Sequence, residues 1–303
     1  MESPYFGVNN MKRTAIGSFL NQSVLDLVAK LPAMTADVRI MYDNDPLTFG
    51  DLRLPHSDSP DPLHPLVILI HGGAWESSFS LGYMDQLAEL LTGAGFATWN
   101  VEFRRLNNPG GGYPGTFLDV GKAIDHSRQL AQDYPVDLNR VVLLGHSSGG
   151  HLATWAAGRI NIPTASELFV QNPLPVCGVV DLAGVLDLEC AYRGGREDVR
   201  QILRAKNLDE IVDKSRTASS VNMLPLGVPQ TLIIGSMDDA WRLESHERYH
   251  DIGTAVGDEI DLVTLEGANH FDVVDASSPV WAEILGAIFN YAGRRADGPT
   301  GKS

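Results

Sequence analysis

From residue 66 onward, short runs rich in Val, Leu and Ile alternate with longer segments of helical periodicity. The runs fall at 66–70, 96–103, 140–146, 176–183, 229–235 and 260–265. Helical patterns lie at about 79–93, 115–133, 148–160, 242–256 and 277–292. Strict strand–helix alternation predicts an α/β fold: a mostly parallel central sheet built of right-handed crossovers, with helices on both faces. Several runs are almost continuously apolar, as strands covered on both sides must be. Two earlier strands, near 36–42 and 47–54, read as a hairpin around Asp43-Asn44-Asp45-Pro46.

One stretch breaks the rhythm. Residues 185–225 separate two strands and hold helical patches such as Val199 to Leu208, so they are expected to form an inserted cap over the carboxyl ends of the strands. The 303 residues would suit two domains of about 150 residues each. The alternation that resumes after this insertion predicts one instead: an extension over 1–35, a domain over 36–292 with its cap, and a polar tail over 293–303. Within the extension, Ser23 to Lys30 has apolar residues at helical spacing.

Charge and cysteine content narrow the function classes. The chain carries 23 basic and 38 acidic residues, a net charge of −15. Such a surface repels phosphate backbones, so no nucleic-acid partner is expected. The Arg193, Arg196, Arg200 and Arg204 stretch is interleaved with Glu197 and Asp198 and reads as a solvated face. Cys177 and Cys190 are expected to be free thiols in apolar surroundings, since two cysteines do not make a disulfide framework. The N-terminus lacks a charged-then-apolar secretory pattern, and the run Leu66–Ile70 is far too short to span a bilayer. A soluble cytoplasmic protein without membrane contact is the expectation.

The chemistry concentrates where the strand 140–146 runs into Gly145-His146-Ser147-Ser148-Gly149-Gly150-His151-Leu152. This is G-x-S-x-G between a buried strand and a helix. There a serine takes a strained conformation that lifts its hydroxyl above the sheet edge. Gly145 and Gly149 suit the close approach of two backbone segments. The N–H of Ser148, at a helix N-terminus, is placed to bond a developing oxyanion.

Strand 66–70 ends in His71-Gly72-Gly73-Ala74-Trp75, whose Gly73 and Ala74 N–H groups are expected to complete an oxyanion hole. His71 is expected to fix this loop by hydrogen bonds. Trp75, Gly72 and Tyr113 are candidate pocket residues, with core packing as the equal alternative for Trp75. A serine nucleophile needs a base, and the base an acid, in the chain order Ser, Asp or Glu, His. Strand 229–235 leads to Asp238 and strand 260–265 to His270, both at the edge where Ser147 sits. His270 is therefore the expected base and Asp238 the expected acid; Asp239 competes, with Asp272 and Asp275 behind it.

These residues resemble the α/β-hydrolase superfamily, in the branch with a His-Gly-Gly-x-Trp oxyanion loop. The chain is similar to small carboxylesterases and to arylformamidases (kynurenine formamidases), which pair such a loop with a Gly-His-Ser-x-Gly elbow followed by His-Leu, here His151-Leu152. His270-Phe271-Asp272 resembles the arylformamidase ending, although those enzymes typically have Tyr where this chain has Ala74. Over residues 36–292 the resemblance implies a serine hydrolase acting through an acyl-enzyme without metal or organic cofactor. The implied substrate is a small or aryl ester, and the alternative is an N-formylkynurenine-type amide.

Two further motifs are expected to do other work. His246-Glu247-Arg248-Tyr249-His250 matches the zinc signature H-E-x-x-H, but it lies on the helix after the Asp238 strand and reads as a solvated face. Gly110 to Gly115 matches G-x-G-x-x-G but starts some seven residues after its strand and contains Pro114; it reads as a flexible loop beside the pocket. For Arg104 and Arg105 the expectation is a structural ion pair, for instance with Asp119, against the alternative of a substrate carboxylate.

Overall fold

The computed structural model describes residues 35–57, 63–275, 277–278 and 280–294. The helix expected over Ser23 to Lys30, and nearly all of the polar tail, lie outside the described residues. Among the described residues one sheet contains β1 (Val38–Met41), β2 (Phe49–Arg53), β3 (His64–Ile70), β4 (Ala97–Val101), β5 (Val136–His146), β6 (Gly178–Leu182), β7 (Gln230–Gly235) and β8 (Ile260–Leu265). Their spatial order is β1-β2-β4-β3-β5-β6-β7-β8. β1 and β2 form the expected hairpin, Met41 opposite Phe49, and β2 runs antiparallel to β4. From β4 to β8 all neighbours are parallel.

The helices are α1 (Asp85–Gly93), α2 (Gly115–Asp125), α3 (Ser127–Asp133), α4 (Ser148–Ala157), α5 (Leu188–Arg193), α6 (Glu197–Ile202), α7 (Leu208–Ala218), α8 (Ala240–Ala255) and α9 (Val280–Ala292). They cover both faces of the sheet. On β6, Gly178 lies against Tyr291 of α9, whereas Asp181, which the pleat points the other way, meets His246 of α8 and Gly150 of α4. Leu66 to Ile70 and Val141 to Leu144 are fully buried between these layers, which is why their sequences do not alternate.

Two boundaries differ from the expectation. β5 begins at Val136 because it already pairs with β3 there, His64 opposite Val136, before a register shift at Pro65/Leu66. The polar Asp137 and Asn139 hide this extension from an apolar pattern. The helix expected over 115–133 is two helices, separated at His126 beside Asp125, whose carboxylate is engaged by Arg159 and by the Leu174 N–H.

Residues 185–225 form α5, α6 and α7, ending in a 3-10 turn over Ser220–Met223. Their starts are fixed by side chains. Asp187 accepts the Cys190 N–H to cap α5, and Asn207 accepts the Glu210 N–H at 3.0 Å to cap α7. The Glu210 carboxylate returns to the Lys206 N–H. The arginines of this region are less solvated than expected: Arg196 is buried and paired with Asp198, and Arg204 donates to the Gly111 carbonyl at 2.5 Å, because α6 packs inward. Arg193 and Arg200 pair with Glu189 and Glu197 on the surface.

Two backbone segments approach closely where β5 turns into α4. A side chain at Gly149 would collide with the carbonyl oxygens of Ile70 and His71, and one at Gly145 with the Gly149 carbonyl. Gly149→Ala is therefore expected to lower unfolding stability by about 1–3 kcal/mol, as overpacking does. Urea denaturation checks this; an unchanged midpoint would show that the two segments are not in contact.

Candidate active site

Ser147 joins β5 to α4 with φ 56° and ψ −119°, a left-handed conformation that a serine does not adopt without constraint. Two hydrogen bonds hold it: its N–H donates to the Leu182 carbonyl at 2.8 Å, and its carbonyl accepts the His151 N–H at 3.1 Å. The turn delivers the hydroxyl to the carboxyl edge of the sheet, where the loops after β7 and β8 also end.

Asp238 follows β7 and His270 follows β8. Ser147 Oγ lies 3.0 Å from His270 Nε2, and His270 Nδ1 lies 2.7 Å from Asp238 Oδ2. With Nδ1 donating to the carboxylate, Nε2 is left to accept from the hydroxyl. Burial, reinforced by the Arg242 cation, pushes the imidazole below its ordinary value and outweighs the pull of Asp238, so the ring is neutral around pH 7. Burial alone would raise the Asp238 carboxyl. Its bond to His270 and the nearby Arg242 prevail and hold it well below the usual carboxylate range.

The competing acids are occupied elsewhere. Asp239 offers Asp238 Oδ1 its N–H at 2.7 Å and starts α8; Asp272 accepts the Asn269 N–H at 2.7 Å and shapes the His270 loop; Asp275 accepts the N–H and hydroxyl of Ser277.

The His71–Trp75 loop lies directly against this array. Gly72 is close enough that a side chain there would press on Ser147 Cβ and the His146 carbonyl. Gly73, Ala74 and Trp75 all have left-handed φ, at 108°, 53° and 57°. The Trp75 N–H donates to Ser148 Oγ at 3.2 Å, which ties the loop to the first turn of α4. Among the described residues, the Gly73 and Ala74 N–H groups have no protein acceptor. Ser148, the first residue of α4, has no intrahelical acceptor for its own N–H.

His71 fixes the loop as expected: Nε2 bonds Glu102 Oε1 at 3.0 Å, Nδ1 lies 2.8 Å from the Gly72 carbonyl, and the ring stacks on Phe103. Glu102 is held in turn by Arg105 at 3.2 Å. Arg104 pairs with Asp119, as expected.

Three residues that sequence reasoning missed complete the surroundings. Tyr83 accepts the Gly72 N–H on its hydroxyl, which lies 3.1 Å from His146 Nδ1; His146 Nε2 in turn meets the His270 carbonyl at 3.0 Å. This chain runs from the His71–Trp75 loop to the loop that carries His270. Burial raises the Tyr83 phenol, keeping it protonated, and lowers His146, keeping it neutral. Arg242 donates to Asp238 Oδ1 at 3.0 Å. Arg242 and Asp238 are four residues apart, a helical spacing that sequence displays, but nothing in the sequence says that the pair is buried.

Several expectations need correction. Of the two equal readings of Trp75, its burial fits core packing: the ring lies edge-on to His151 at 5.4 Å, turned inward by the loop's left-handed run. Tyr113 is likewise buried, against Phe117 with Lys214 over its ring. The Gly110–Gly115 loop is tied down, with the Tyr113 N–H on the Ile202 carbonyl at 2.7 Å and the Gly112 N–H on Thr116 Oγ1 at 2.9 Å. His246 is no solvated face: α8 turns it under the sheet edge, where Nε2 bonds Asp181 at 2.9 Å and Nδ1 the Arg242 carbonyl at 2.9 Å. His250 instead meets Asp251 near the surface. Among the described residues no group of three His, Cys, Asp or Glu could hold a metal ion.

Comparison with known proteins agrees with this architecture. A family model described as BD-FAE matches residues 51–245, more than half of the chain, and the chain belongs to that family. A solved esterase structure, Est2-native from the Planctomycetes species Thermogutta terrifontis, superposes with a TM-score of 0.72 at 20% identity, covering 91% of this chain and 100% of that one. The sheet order, the elbow and this likeness define an α/β-hydrolase fold. Esterase LipC of Mycobacterium tuberculosis is 27% identical over 247 residues, which are 79% of this chain and 60% of LipC. The acylamino-acid-releasing enzyme of Mus musculus is 28% identical over 236 residues, 71% of this chain and 31% of that enzyme. The chain thus spans about 60% of the length of LipC and less of the mouse enzyme.

The buried histidines make stability pH-dependent. Burial lowers His151 from 6.5 to about 4. The unfolded chain takes up a proton at this position as pH falls through 6.5, while the folded protein refuses it until about 4. His146 and His270 act in the same sense. The urea midpoint is therefore expected to fall steadily from pH 7 to pH 4.5; a midpoint flat over that window would mean that these rings are not buried and neutral.

Proposed function

We propose that this protein is a serine-dependent carboxylic ester hydrolase acting on small or aryl esters. The observation that carries the reading is the unbroken relay from Ser147 Oγ through His270 to Asp238, at 3.0 and 2.7 Å. Ser147 Oγ attacks the ester carbonyl carbon and its proton passes to His270 Nε2. The carbonyl electron pair moves onto the oxygen, which the N–H groups of Gly73, Ala74 and Ser148 stabilise. Collapse re-forms the carbonyl and breaks the bond to the alcohol, which leaves with the proton held by His270. Water, deprotonated by His270, then attacks the acyl-enzyme; the carboxylic acid departs and Ser147 regains its proton. Asp238 keeps His270 in the tautomer that these transfers require.

Gly72, packed on Ser147, sits at the reacting end of the pocket. Residues 185–225 serve as a cap on a hydrolase domain over 36–292, between the 1–35 extension and the 293–303 tail. The packing of Gly194 against Trp241, next to the Asp238 loop, supports that role. Among the described residues no helix is long and apolar enough to cross a membrane. A chain with only two cysteines, Cys177 buried and Cys190 half-buried, fits a reducing, cytoplasmic setting. Ester cleavage is favoured over formamide cleavage because LipC is an esterase by name.

Ser147→Ala is expected to lower kcat on p-nitrophenyl acetate by roughly 10⁴–10⁶-fold with unchanged thermal unfolding. Retained turnover would remove Ser147 from the mechanism. On the intact enzyme, short-chain acyl esters are expected to give a higher kcat/KM than N-formylkynurenine; the opposite order would make this an arylformamidase.

A further inference from the structure

Arg242 occupies the first turn of α8, four residues after Asp238, and is buried. Its Nε donates to Asp238 Oδ1 at 3.0 Å. Its Nη1 donates to the Ala183 carbonyl at 2.9 Å and lies 3.4 Å from the Gly184 carbonyl. The guanidinium stands over the Trp241 ring, 4.5 Å from its centroid. Every contact is therefore directional, and the head group has one place to be.

The arrangement partitions the carboxylate. Oδ1 takes the Asp239 N–H and the Arg242 Nε–H, while Oδ2 faces His270. Ala183 and Gly184 directly follow β6, whose Leu182 carbonyl accepts the Ser147 N–H. Arg242 thus joins the loop that carries the acid to the strand end that holds the nucleophile's backbone. Burying a guanidinium is costly, and a buried ion pair is often no more stabilising than an apolar substitute. Stability alone is therefore a poor account of this residue.

We propose that Arg242 is a positioning residue for the ester hydrolysis: it turns Asp238 so that Oδ2 faces His270, and its fixed cation opposes protonation of His270, extending activity into acid. The inference rests on the reading of Ser147, His270 and Asp238 as the catalytic residues. The groups that face the imidazole are Asp238 and Arg242 from the β7–α8 side, Ser147 and His146 from the elbow, and Phe271 beside it. Behind Arg242 stand Asp239, the cap residue Arg196 with its partner Asp198, and His246 backed by Asp181. Arg242 bonds the same carboxylate as the base, and its cation adds to burial in lowering the imidazole.

The test is the pH profile of kcat/KM on p-nitrophenyl acetate for the wild-type enzyme, Arg242→Lys and Arg242→Met, with near-ultraviolet circular dichroism as the check on folding. Arg242→Met is expected to lose roughly 10–100-fold in kcat near neutrality, with little change in KM, and to have its acid limb displaced to higher pH. Arg242→Lys, which restores the charge, is expected to return the acid limb towards its wild-type position. A uniform loss with an unmoved acid limb in both variants would overturn the proposal and leave Arg242 a structural residue.

Should the Met variant not fold, the ring-proton resonance of His270, assigned by its disappearance in His270→Gln, decides instead. A titration point that lies higher in Arg242→Gln than in the wild-type enzyme supports the proposal, and an unchanged one overturns it. The two levels separate cleanly: turnover surviving in Ser147→Ala defeats the catalytic reading itself, whereas an inactive Ser147→Ala with an unmoved Arg242 profile defeats this inference alone.

Discussion

Everything at the carboxyl edge of the sheet depends on one close contact between two stretches of backbone. The Cα of Gly149, in the first turn of α4, sits against the carbonyl oxygens of Ile70 and His71 at the end of β3. The parallel pairing of β3 with β5 brings these chain segments side by side, and the missing side chain lets them touch. Two consequences follow. The Ser147 turn, which no serine adopts unaided, is held between Leu182 on one side and the β3 loop on the other. Gly72 comes to rest against Ser147, and the Gly73–Ala74 N–H groups that follow it have no acceptor of their own among the described residues. Strain at Ser147 and unmet donors at Gly73 and Ala74 are local costs that a well-packed sheet can offset. They are also the features an acyl-transfer site needs in advance of substrate.

Around that contact the polar side chains form connected lines rather than isolated pairs. One runs from the Gly72 N–H through Tyr83 and His146 to the His270 carbonyl. Another runs from Ser147 through His270 and Asp238 to Arg242 and the carbonyls after β6. The two meet at His270, which is thereby fixed at its ring and at its backbone. An imidazole held this way has little conformational freedom left to lose. Glu102, bonded to His71 and Arg105, steadies the other end of the His71–Trp75 loop.

Much of this was legible in the sequence because the signals were local or followed a fixed chain order. The apolar runs mark β3 and β5 through β8, and G-x-S-x-G marks the elbow. The order Ser, Asp, His along a parallel sheet singles out Asp238 and His270 at the ends of β7 and β8. What was not legible depends on which side of an element faces inward. His246 and His250 fit a zinc pattern by spacing, yet α8 turns His246 onto Asp181 and leaves His250 near the surface. Trp75 follows the oxyanion glycines, yet three left-handed residues in a row rotate it into the core. Tyr83 and Arg242 carry no motif, and His146 fills a variable position of one. Their importance comes from burial and from partners 11, 124 and 59 positions away in the chain, which only the folded sheet brings together.

The central claim is that Ser147, activated by His270, is the group that becomes acylated. Intact-protein mass spectrometry after brief exposure to a fluorophosphonate, followed by peptide mapping, tests it most directly. The account predicts a single stoichiometric adduct on Ser147, absent in Ser147→Ala and formed far more slowly in His270→Gln. An adduct on any other residue, or labelling of Ser147 at an undiminished rate without His270, would contradict it.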